Sequence, residues 1–257
     1  MSGLAGLTAA PDQIAYMDAA ARTPVGLDYK QRLLAALDVR PGQTAVDLGC
    51  GPGTDLASLA DAVGPDGTVI GVDHEPRMLA EATDRHADRP NVELRAGDLR
   101  DLPLADASVD RLRVDRVLQH VPEPERAFAE ARRVLRPGGL FGMAEPDWDT
   151  LAVADEDVTT SRRFARFNAS RVRNATMGRQ MVRLADAAGF RIRSVEPVAV
   201  LFRDFGTADQ ILGLRRNSTR AVAAGELAEA DVDAWLHRLA TGPLLAGFTF
   251  YLVVAGS

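Results

Sequence analysis

The decapeptide VDLGCGPGTD at residues 46–55 joins the end of an apolar run to a loop with three glycines in five positions. The apolar run predicts a buried strand, and the glycines predict a sharp turn because glycine lacks a Cβ atom. A turn without side chains lets backbone N–H groups come close to a bound molecule. The carboxylate of Asp47, at the end of the strand, would repel a pyrophosphate and attract an ammonium group. The stretch therefore predicts a ligand with a cationic part, and Thr54 breaks the G-x-G-x-x-G pattern of a dinucleotide loop.

Short apolar runs alternate with segments of helical spacing from the decapeptide onward. The runs are rich in Val, Ile and Leu and predict strands, whereas apolar positions three and four apart predict helices. This alternation is typical of βαβ crossovers, so we expect a doubly wound, Rossmann-like α/β fold with a mostly parallel sheet between helices. Proline and glycine in RPGG (136–139) predict a turn. The predicted strands are 44–48, 68–73, 92–96, 110–118 and 140–146, and the predicted helices are 55–63, 76–86 and 124–135.

Regions on both sides of this core carry additional elements. Residues 11–37 predict two helices ahead of the first strand, and residues 151–181 predict a polar, helical stretch. Strands at 191–202 and 247–256 both return to the sheet, with a helical insert at 207–241 between them. We therefore expect a single domain with a helical cap. Its parts are N-terminal helices at 1–40, a cofactor-binding core at 41–150, and substrate or cap elements with the late strands at 151–257.

The composition limits the partners and the compartment. A formal net charge of -6 gives no basic field for a nucleic acid backbone, and no Asn-Pro-Pro-aromatic stretch is present, so we expect no nucleic acid partner. The single cysteine, Cys50, cannot form an internal disulfide or a cysteine-based zinc site, and we predict no metal site. No secretory segment or membrane span is predicted, so we expect a cytoplasmic protein. A homodimer is possible.

Two more aspartates follow the next two predicted strands. Asp73 closes the second strand, where an acid can accept both hydroxyl groups of a ribose. Asp98 follows the third strand and can accept a hydrogen bond from an adenine amino group, with Leu99 against the ring. Acids at three successive strand ends, beside a glycine turn, describe a nucleoside with an amino-acid-like tail. The sequence therefore predicts S-adenosyl-L-methionine as the cofactor.

Five ordered motifs resemble the class I S-adenosylmethionine-dependent methyltransferases, in particular the small-molecule branch similar to ubiquinone and menaquinone C-methyltransferases. The motifs are VDLGCGPGTD (46–55), VIGVDHEPRML (69–79), GDLRDLPLADASVDRL (97–112), VLQHVPEPERAFAEARRVLRPGGL (117–140) and EPDWDTL (145–151). The resemblance implies a seven-stranded sheet whose last strand is antiparallel. We assign to the cofactor the residues Asp47, Gly49, Cys50, Gly51, Gly53, Asp73, His74, Asp98, Leu99 and Val114.

Candidate catalytic residues follow the fourth and fifth strands. His120 is expected near the reactive methyl group, where an imidazole can accept a proton near neutral pH, although an ordering role is equally compatible with the sequence. Glu145, Asp147 and Asp149 follow the fifth strand, and one of them is expected to act as a base or to bind the substrate. The alternative for Asp147 or Asp149 is a helix N-cap. Trp148 is a candidate for an apolar or cation-π wall.

Several other groups have two interpretations. The basic run in 162–173 is either a solvated helix face or a clamp for a carboxylate or phosphate. Arg111 and Arg113 are expected to be solvated or paired at a strand edge. The residues expected to form either a lid over the cofactor or ordinary core are Tyr16, Met17, Phe164, Phe167, Ile211, Leu212 and Trp235.

The resulting functional prediction is methyl transfer from S-adenosylmethionine to a small-molecule acceptor, such as a quinone-like compound or a secondary metabolite. The acceptor atom, whether O, N or C, is left open. One alternative is a protein that uses the cofactor as a scaffold that is not consumed, for example in a cyclisation, because fold does not fix chemistry. Another alternative is a non-catalytic binding module.

Overall fold

Seven strands form one sheet in the computed structural model, which describes residues 12–257. The strand order is β3-β2-β1-β4-β5-β7-β6, and β7 runs antiparallel to both of its neighbours while the other strands are parallel to one another. This confirms the predicted doubly wound sheet with an antiparallel last strand. The strands are β1 Thr44–Leu48, β2 Thr68–Asp73, β3 Val92–Ala96, β4 Val109–Asp115, β5 Leu135–Val153, β6 Arg191–Phe202 and β7 Ala246–Gly256.

Ten helices surround the sheet in the part of the chain that the structure describes. The two N-terminal helices are present, and the second begins where Thr23 accepts a hydrogen bond from the Gly26 amide (3.0 Å), directly before Pro24. None of the helices within residues 12–257 has the length and apolar character that crossing a membrane requires. The helices are α1 Gln13–Ala21, α2 Pro24–Ala36, α3 Leu56–Val63, α4 Pro76–Arg85, α5 Pro124–Val134, α6 Val158–Ser170, α7 Met177–Ala187, α8 Phe205–Leu212, α9 Leu214–Ala223 and α10 Glu229–Thr241.

The strand order reverses between β1 and β4. β1 leads through α3 to β2 on one side, whereas the chain later returns to place β4 on the other side of β1. In open parallel sheets such a switch point leaves a crevice at the carboxyl ends of the two strands. The glycine turn after β1 and the segment after β4 therefore meet in this crevice.

The predicted fourth and fifth strands have different limits in the structure. β4 ends at Asp115 because Arg116 adopts a left-handed backbone (φ 58°), and a 3₁₀ turn follows at Leu118–His120. β5 starts at Leu135, so the predicted turn RPGG lies inside it. The pairing with β4 is irregular there, and Gly138 has φ 82°. The turn chemistry thus produces a bulge within a longer strand.

The cap is built on the same sheet as the core. β6 and β7 pair with each other and β7 pairs with β5, so both late strands return to the sheet as expected. The insert expected at 207–241 forms α8, α9 and α10. Phe164 of α6 packs against Trp235 of α10 with ring centroids 5.1 Å apart, and the Trp235 indole donates to the Ser161 hydroxyl (2.9 Å). Both aromatic side chains are fully buried, so they belong to the core rather than to a lid.

Candidate active site

The glycine turn after β1 has a backbone that side chains rarely tolerate. Gly49, Gly51 and Gly53 have φ values of 70°, 53° and 78°. A Cβ atom on Gly49 would lie 2.5 Å from a methyl group of Val117, and one on Gly51 would lie 3.2 Å from the sulfur of Met17. The turn is therefore enclosed by α1 on one side and by the segment after β4 on the other, and its geometry depends on glycine.

Asp73, at the end of β2, is hydrogen-bonded to the glycine turn. One carboxylate oxygen accepts from the Gly51 amide (2.8 Å) and the other accepts from the Glu75 amide (2.9 Å). The residue is 7% exposed. His74, beside it, has a largely exposed side chain whose Nδ1 lies 3.5 Å from the Asp73 carboxylate. The structure thus brings together Gly51 and Asp73, two of the residues that we assigned to the cofactor.

Asp47 is buried and paired with an arginine. It is 2% exposed, and its Oδ1 accepts from Nη1 of Arg113 at 2.8 Å. Nη2 of Arg113 donates to Asp55 and to Asp115, both at 2.8 Å. Burial raises the pKa of Asp47 to about 6, against the opposing effect of Arg113. Asp47 is therefore held by a guanidinium group and does not stand alone as an anion.

The placement of Arg113 corrects one expectation. Arg111 and Arg113 were predicted to be solvated or paired at a strand edge, but β4 lies between β1 and β5, and Arg113 is only 5% exposed. The guanidinium of Arg111 donates instead to the backbone carbonyls of Leu37 and Asp38. The prediction was wrong because two charged residues spaced by two look like the solvated face of an edge strand.

Lys30 and Tyr29 of α2 complete this buried charge network. Lys30 forms ion pairs with Asp55 and with Asp115, the latter at 3.0 Å, and the Tyr29 hydroxyl donates to Asp115 at 3.0 Å. Burial alone would raise the pKa of Asp115, but the charges of Lys30, Arg116 and Arg113 outweigh it and hold the pKa below its ordinary value. Tyr29 and Lys30, which the sequence did not single out, therefore form part of the site.

A cavity of about 430 Å³ opens from the glycine turn toward the cap. This volume suits a small molecule, since ligand pockets span about 300–1,000 Å³. Trp148 and Phe248 form part of an aromatic wall, with ring centroids 4.7 Å apart. From the residues with two interpretations, the lining includes Tyr16, Met17, Ile211 and Leu212.

His120 lies on this lining at the end of the 3₁₀ turn. The residue is exposed, and partial desolvation by the surrounding protein lowers the pKa of its imidazole below the ordinary value. Its neighbour Gln119 is fixed, because its side-chain oxygen accepts from the Trp148 indole (2.8 Å) and its carbonyl accepts from the Asn174 amide (3.0 Å). His120 is thus a neutral imidazole at pH 7 on a rigid segment that borders the cavity.

Glu145 supports that segment from beneath and does not reach the cavity. It is fully buried, and Oε1 accepts from the amides of Val117 (2.8 Å) and Leu118 (2.6 Å). Oε2 has no hydrogen-bond partner among residues 12–257. Burial raises the pKa of Glu145 to about 8, so the carboxyl group is protonated at neutral pH. This placement gives Glu145 a positioning role instead of the substrate contact expected from the sequence.

Asp147 and Asp149 also lie away from the cavity. Asp147 is fully buried and accepts from Nη2 of Arg179 at 2.7 Å, while Asp149 is half-exposed and 3.9 Å from Nη1 of Arg179. Both lie within β5, so neither is a helix N-cap. Alternate residues of a strand face opposite sides, and here Pro146 and Trp148 take the cavity side. The structure therefore does not support the catalytic roles that we predicted for the two aspartates.

Among the remaining residues assigned to the cofactor, Asp98, Leu99 and Val114 lie outside the cavity lining. Asp98 forms an ion pair with Arg100 (2.6 Å), and hydrogen bonds from Arg100 lower the pKa of Asp98 to about 2. Leu99 and Val114 are buried in the core cluster, whereas Cys50 lines the cavity beside Gly51. Burial raises the pKa of the Cys50 thiol, so it is not a nucleophile at neutral pH.

Comparisons with known proteins agree with this geometry. A family model described as a methyltransferase domain matches residues 46–143. A protein from Streptomyces fradiae, called an uncharacterized 37.1 kDa protein in transposon TN4556, is 50% identical over 256 residues, which cover 99% of this chain and 74% of that protein. An arsenite methyltransferase from Halobacterium salinarum is 45% identical over 107 residues (41% and 27% of the two chains).

A demethylmenaquinone methyltransferase from Staphylococcus aureus is 37% identical over 125 residues, or 49% of this chain and 52% of that one. The crystal structure of YcgJ from Bacillus subtilis has a TM-score of 0.65 at 17% identity, over 90% of this chain and 98% of that one, and shows the shared fold. The chain belongs to the class I S-adenosylmethionine-dependent methyltransferases, a class whose cofactor is S-adenosylmethionine. The chain spans about three quarters of the length of the Streptomyces relative. It spans only about a quarter of the arsenite methyltransferase and about half of the demethylmenaquinone methyltransferase.

Proposed function

We propose that this protein transfers a methyl group from S-adenosylmethionine to a small-molecule acceptor that binds in the cavity. The observation that carries the proposal is the left-handed glycine turn, tied to Asp73 and opening directly into a cavity of about 430 Å³. In this proposal the turn binds the cofactor, and the cavity beyond it binds an acceptor of limited size. The absence of a nucleic acid partner, the homodimer and the cytoplasmic location stay predictions.

The residues around the turn fit the chemical groups of the cofactor. Gly51 leaves the space that a side chain would fill, and Asp73 offers a carboxylate for ribose hydroxyls. The buried pair of Asp47 and Arg113 presents one negative and one positive group, which suits an amino acid tail that carries both charges. We propose that the adenine lies near Asp98 and Leu99.

The protein's main task in this reaction is alignment and exclusion of water. When bound, S-adenosylmethionine supplies a methyl group already activated by a sulfonium. Well-oriented intramolecular reactions gain up to roughly 7–11 kcal/mol from positioning. The aromatic wall of Trp148 and Phe248 and the apolar residues of α8 hold an acceptor in place and displace water from it.

His120 is the proton acceptor in this proposal. Its lowered pKa leaves the imidazole neutral at pH 7, with a free lone pair for a proton from a hydroxyl group or an acidic carbon. A tertiary amine acceptor would not need this base. Asp147 is not proposed as the base because Arg179 holds its carboxylate outside the cavity.

The test is the stoichiometry of the cofactor product. Purified protein is incubated with methyl-labelled S-adenosylmethionine and a panel of hydroxylated, amine and acidic-carbon acceptors, followed by mass spectrometry. We expect one S-adenosylhomocysteine for each methylated product. Conversion of an acceptor without S-adenosylhomocysteine would instead support the use of the cofactor as a scaffold. Binding of the cofactor with no conversion of any acceptor would favour a binding module.

A further inference from the structure

The cavity is cationic although the chain as a whole is acidic. The formal net charge of the protein is -6. The cavity lining nevertheless contains six lysine or arginine residues and only three aspartates. Such a reversal of sign concentrates anions in a confined space. The six cationic residues are Lys30, Arg113, Arg116, Arg171, Arg216 and Arg220.

The three aspartates are already neutralised on the cofactor side of the cavity. Asp47, Asp55 and Asp115 each accept a hydrogen bond from Arg113 at 2.8 Å, and Lys30 is paired with two of them. Arg116 is also 3.3 Å from Asp115. These acids therefore have no capacity left to balance the arginines of the cap.

The three cap arginines have no acidic partner. No carboxylate within residues 12–257 lies within 4 Å of the side-chain nitrogens of Arg171, Arg216 or Arg220. Residues 1–11 contain neither aspartate nor glutamate. Three uncompensated guanidinium groups around one cavity repel each other, so an anion bound among them would be stabilised.

Arg216 gives the most specific evidence for a missing ligand. Its Nε atom is buried and has no hydrogen-bond partner in the part of the chain that is described. A buried donor without a partner costs free energy, and native structures seldom leave one in that state. The side chain is held over Gly213, whose Cβ atom, if present, would lie 2.7 Å from Nη2 of Arg216. The left-handed Gly213 (φ 65°) thus admits the guanidinium into this position.

The arginines stand on a fixed frame. Nδ2 of Asn217 donates to Oδ1 of Asn168 (2.6 Å) and to the carbonyl of Leu212 (2.9 Å), and both asparagines are buried on the cavity lining. This contact joins α9, which carries Arg216 and Arg220, to α6, which ends just before Arg171. The backbone positions from which Arg216 and Arg220 extend are therefore fixed relative to α6 before a ligand arrives, which lowers the entropic cost of binding.

We propose that the methyl acceptor carries a carboxylate or phosphate group, bound by Arg171, Arg216 and Arg220, on an apolar body that packs against Trp148 and Phe248. This inference rests on the proposed function and specifies its substrate class. Only Arg171 belongs to the basic run predicted from the sequence as a clamp. Arg162 and Arg166 border a separate surface groove, and the two residues of α9 supply the other cations.

Calorimetry with matched probes tests the proposal. Protein saturated with S-adenosylhomocysteine is titrated with benzoate and with phenyl phosphate, and in parallel with their neutral counterparts benzamide and phenol. We expect at least about tenfold tighter binding of one anionic probe, since charged hydrogen bonds contribute about that much or more. The tighter of the two anions assigns carboxylate or phosphate. Equal affinity for the anionic probes and their neutral counterparts, or no binding of either anion, would overturn the proposal.

Three variants locate the effect within the cavity. Arg216→Gln and Arg220→Gln should each weaken the anionic probe about tenfold and leave the neutral probe unchanged. Arg163→Gln, an exposed arginine of α6 outside the cavity lining, is the matched control and should change nothing. If the two variants instead weaken S-adenosylhomocysteine and spare the probes, the arginines serve the cofactor and the proposal fails. If a variant does not fold, the wild-type comparison of charged and neutral probes decides.

The same titration separates this inference from the proposed function. Failure of wild-type protein to bind S-adenosylhomocysteine would reject the methyltransferase site itself, and the acceptor inference with it. Normal binding of S-adenosylhomocysteine without preference for anions would reject only the acceptor class.

Discussion

The two ends of the cavity differ in whether their cationic side chains have acidic partners. At the floor, beside the glycine turn, Arg113 and Lys30 are each in contact with two or more aspartates, and Arg113 is almost completely buried. At the cap, Arg171, Arg216 and Arg220 have no acidic partner within the described residues 12–257. At the floor the cations are balanced by the protein's own aspartates, whereas the cap arginines have no acidic partner within residues 12–257.

This difference separates structural from ligand-binding charges. Breaking a buried ion pair strands the remaining charge in a poorly solvated place, so floor residues should control stability. Removing a cation that has no acidic partner leaves no unpaired carboxylate behind and reduces the repulsion between the arginines. The cap residues should therefore control ligand binding. Loss of unfolding free energy and loss of affinity can therefore be measured separately at the two ends.

The largest effect is expected for Arg113→Leu at the floor. The substitution leaves Asp47, Asp55 and Asp115 with too few cations, and removal of one partner from a buried ionic cluster costs about 3–5 kcal/mol. Urea unfolding at pH 7 should show this loss. Arg216→Leu at the cap is the matched control and should change the unfolding free energy by less than about 1 kcal/mol. Similar losses in both variants would contradict the division between floor and cap.

A second test asks whether the glycine turn acts through its backbone or through the space beside it. Gly51→Val and Gly138→Val both place a branched residue at a left-handed position (φ 53° and 82°), so both incur backbone strain of about 1–3 kcal/mol. A Cβ atom on Gly138 meets nothing within 4 Å, and Gly138 lies outside the cavity lining. We expect only Gly51→Val to lose S-adenosylmethionine binding, by about 100-fold in calorimetry.

An unchanged cofactor affinity in Gly51→Val would remove the turn from the cofactor site. An equal loss in Gly138→Val would show that strain spreads through the fold and that the turn has no special role. Thermal melting of both variants gives the common strain effect against which the affinities are compared.

The fold followed from local patterns, because β1, β2 and β3 match the predicted limits of 44–48, 68–73 and 92–96. The glycine turn was also predicted, since glycine spacing reports backbone geometry directly. The end of β4 was not predicted correctly, because Arg116 adopts a left-handed backbone that non-glycine residues rarely adopt. The amides after that turn are held by Glu145, a contact from another strand that no local pattern contains.

The site was harder to predict because it depends on which side a strand residue faces. Asp147 was expected at the substrate, but the alternation of side chains along β5 places Pro146 and Trp148 on the face that borders the cavity. Lys30 had no signal in the sequence, since its partners lie 25 and 85 positions away. A sequence signal did exist for Arg216 and Arg220, because residues four apart share a helix face and both follow the glycine that ends α8.

The smallest effect concerns His120, which lies on the cavity lining. Below its lowered pKa the imidazole is protonated and cannot accept a proton, so kcat/KM should fall about tenfold per pH unit on the acid side, with the break in the profile below the ordinary histidine pKa. His120→Asn should lower the rate, abolish this dependence and leave cofactor binding intact, whereas His237→Asn, at an exposed histidine of α10 outside the cavity lining, should retain the wild-type profile. Normal turnover of His120→Asn would make His120 an ordering residue, as the sequence equally allowed. An acid limb that persists in this variant would assign the titration to another group, and the protonated cap arginines could not supply it because they do not titrate in this range.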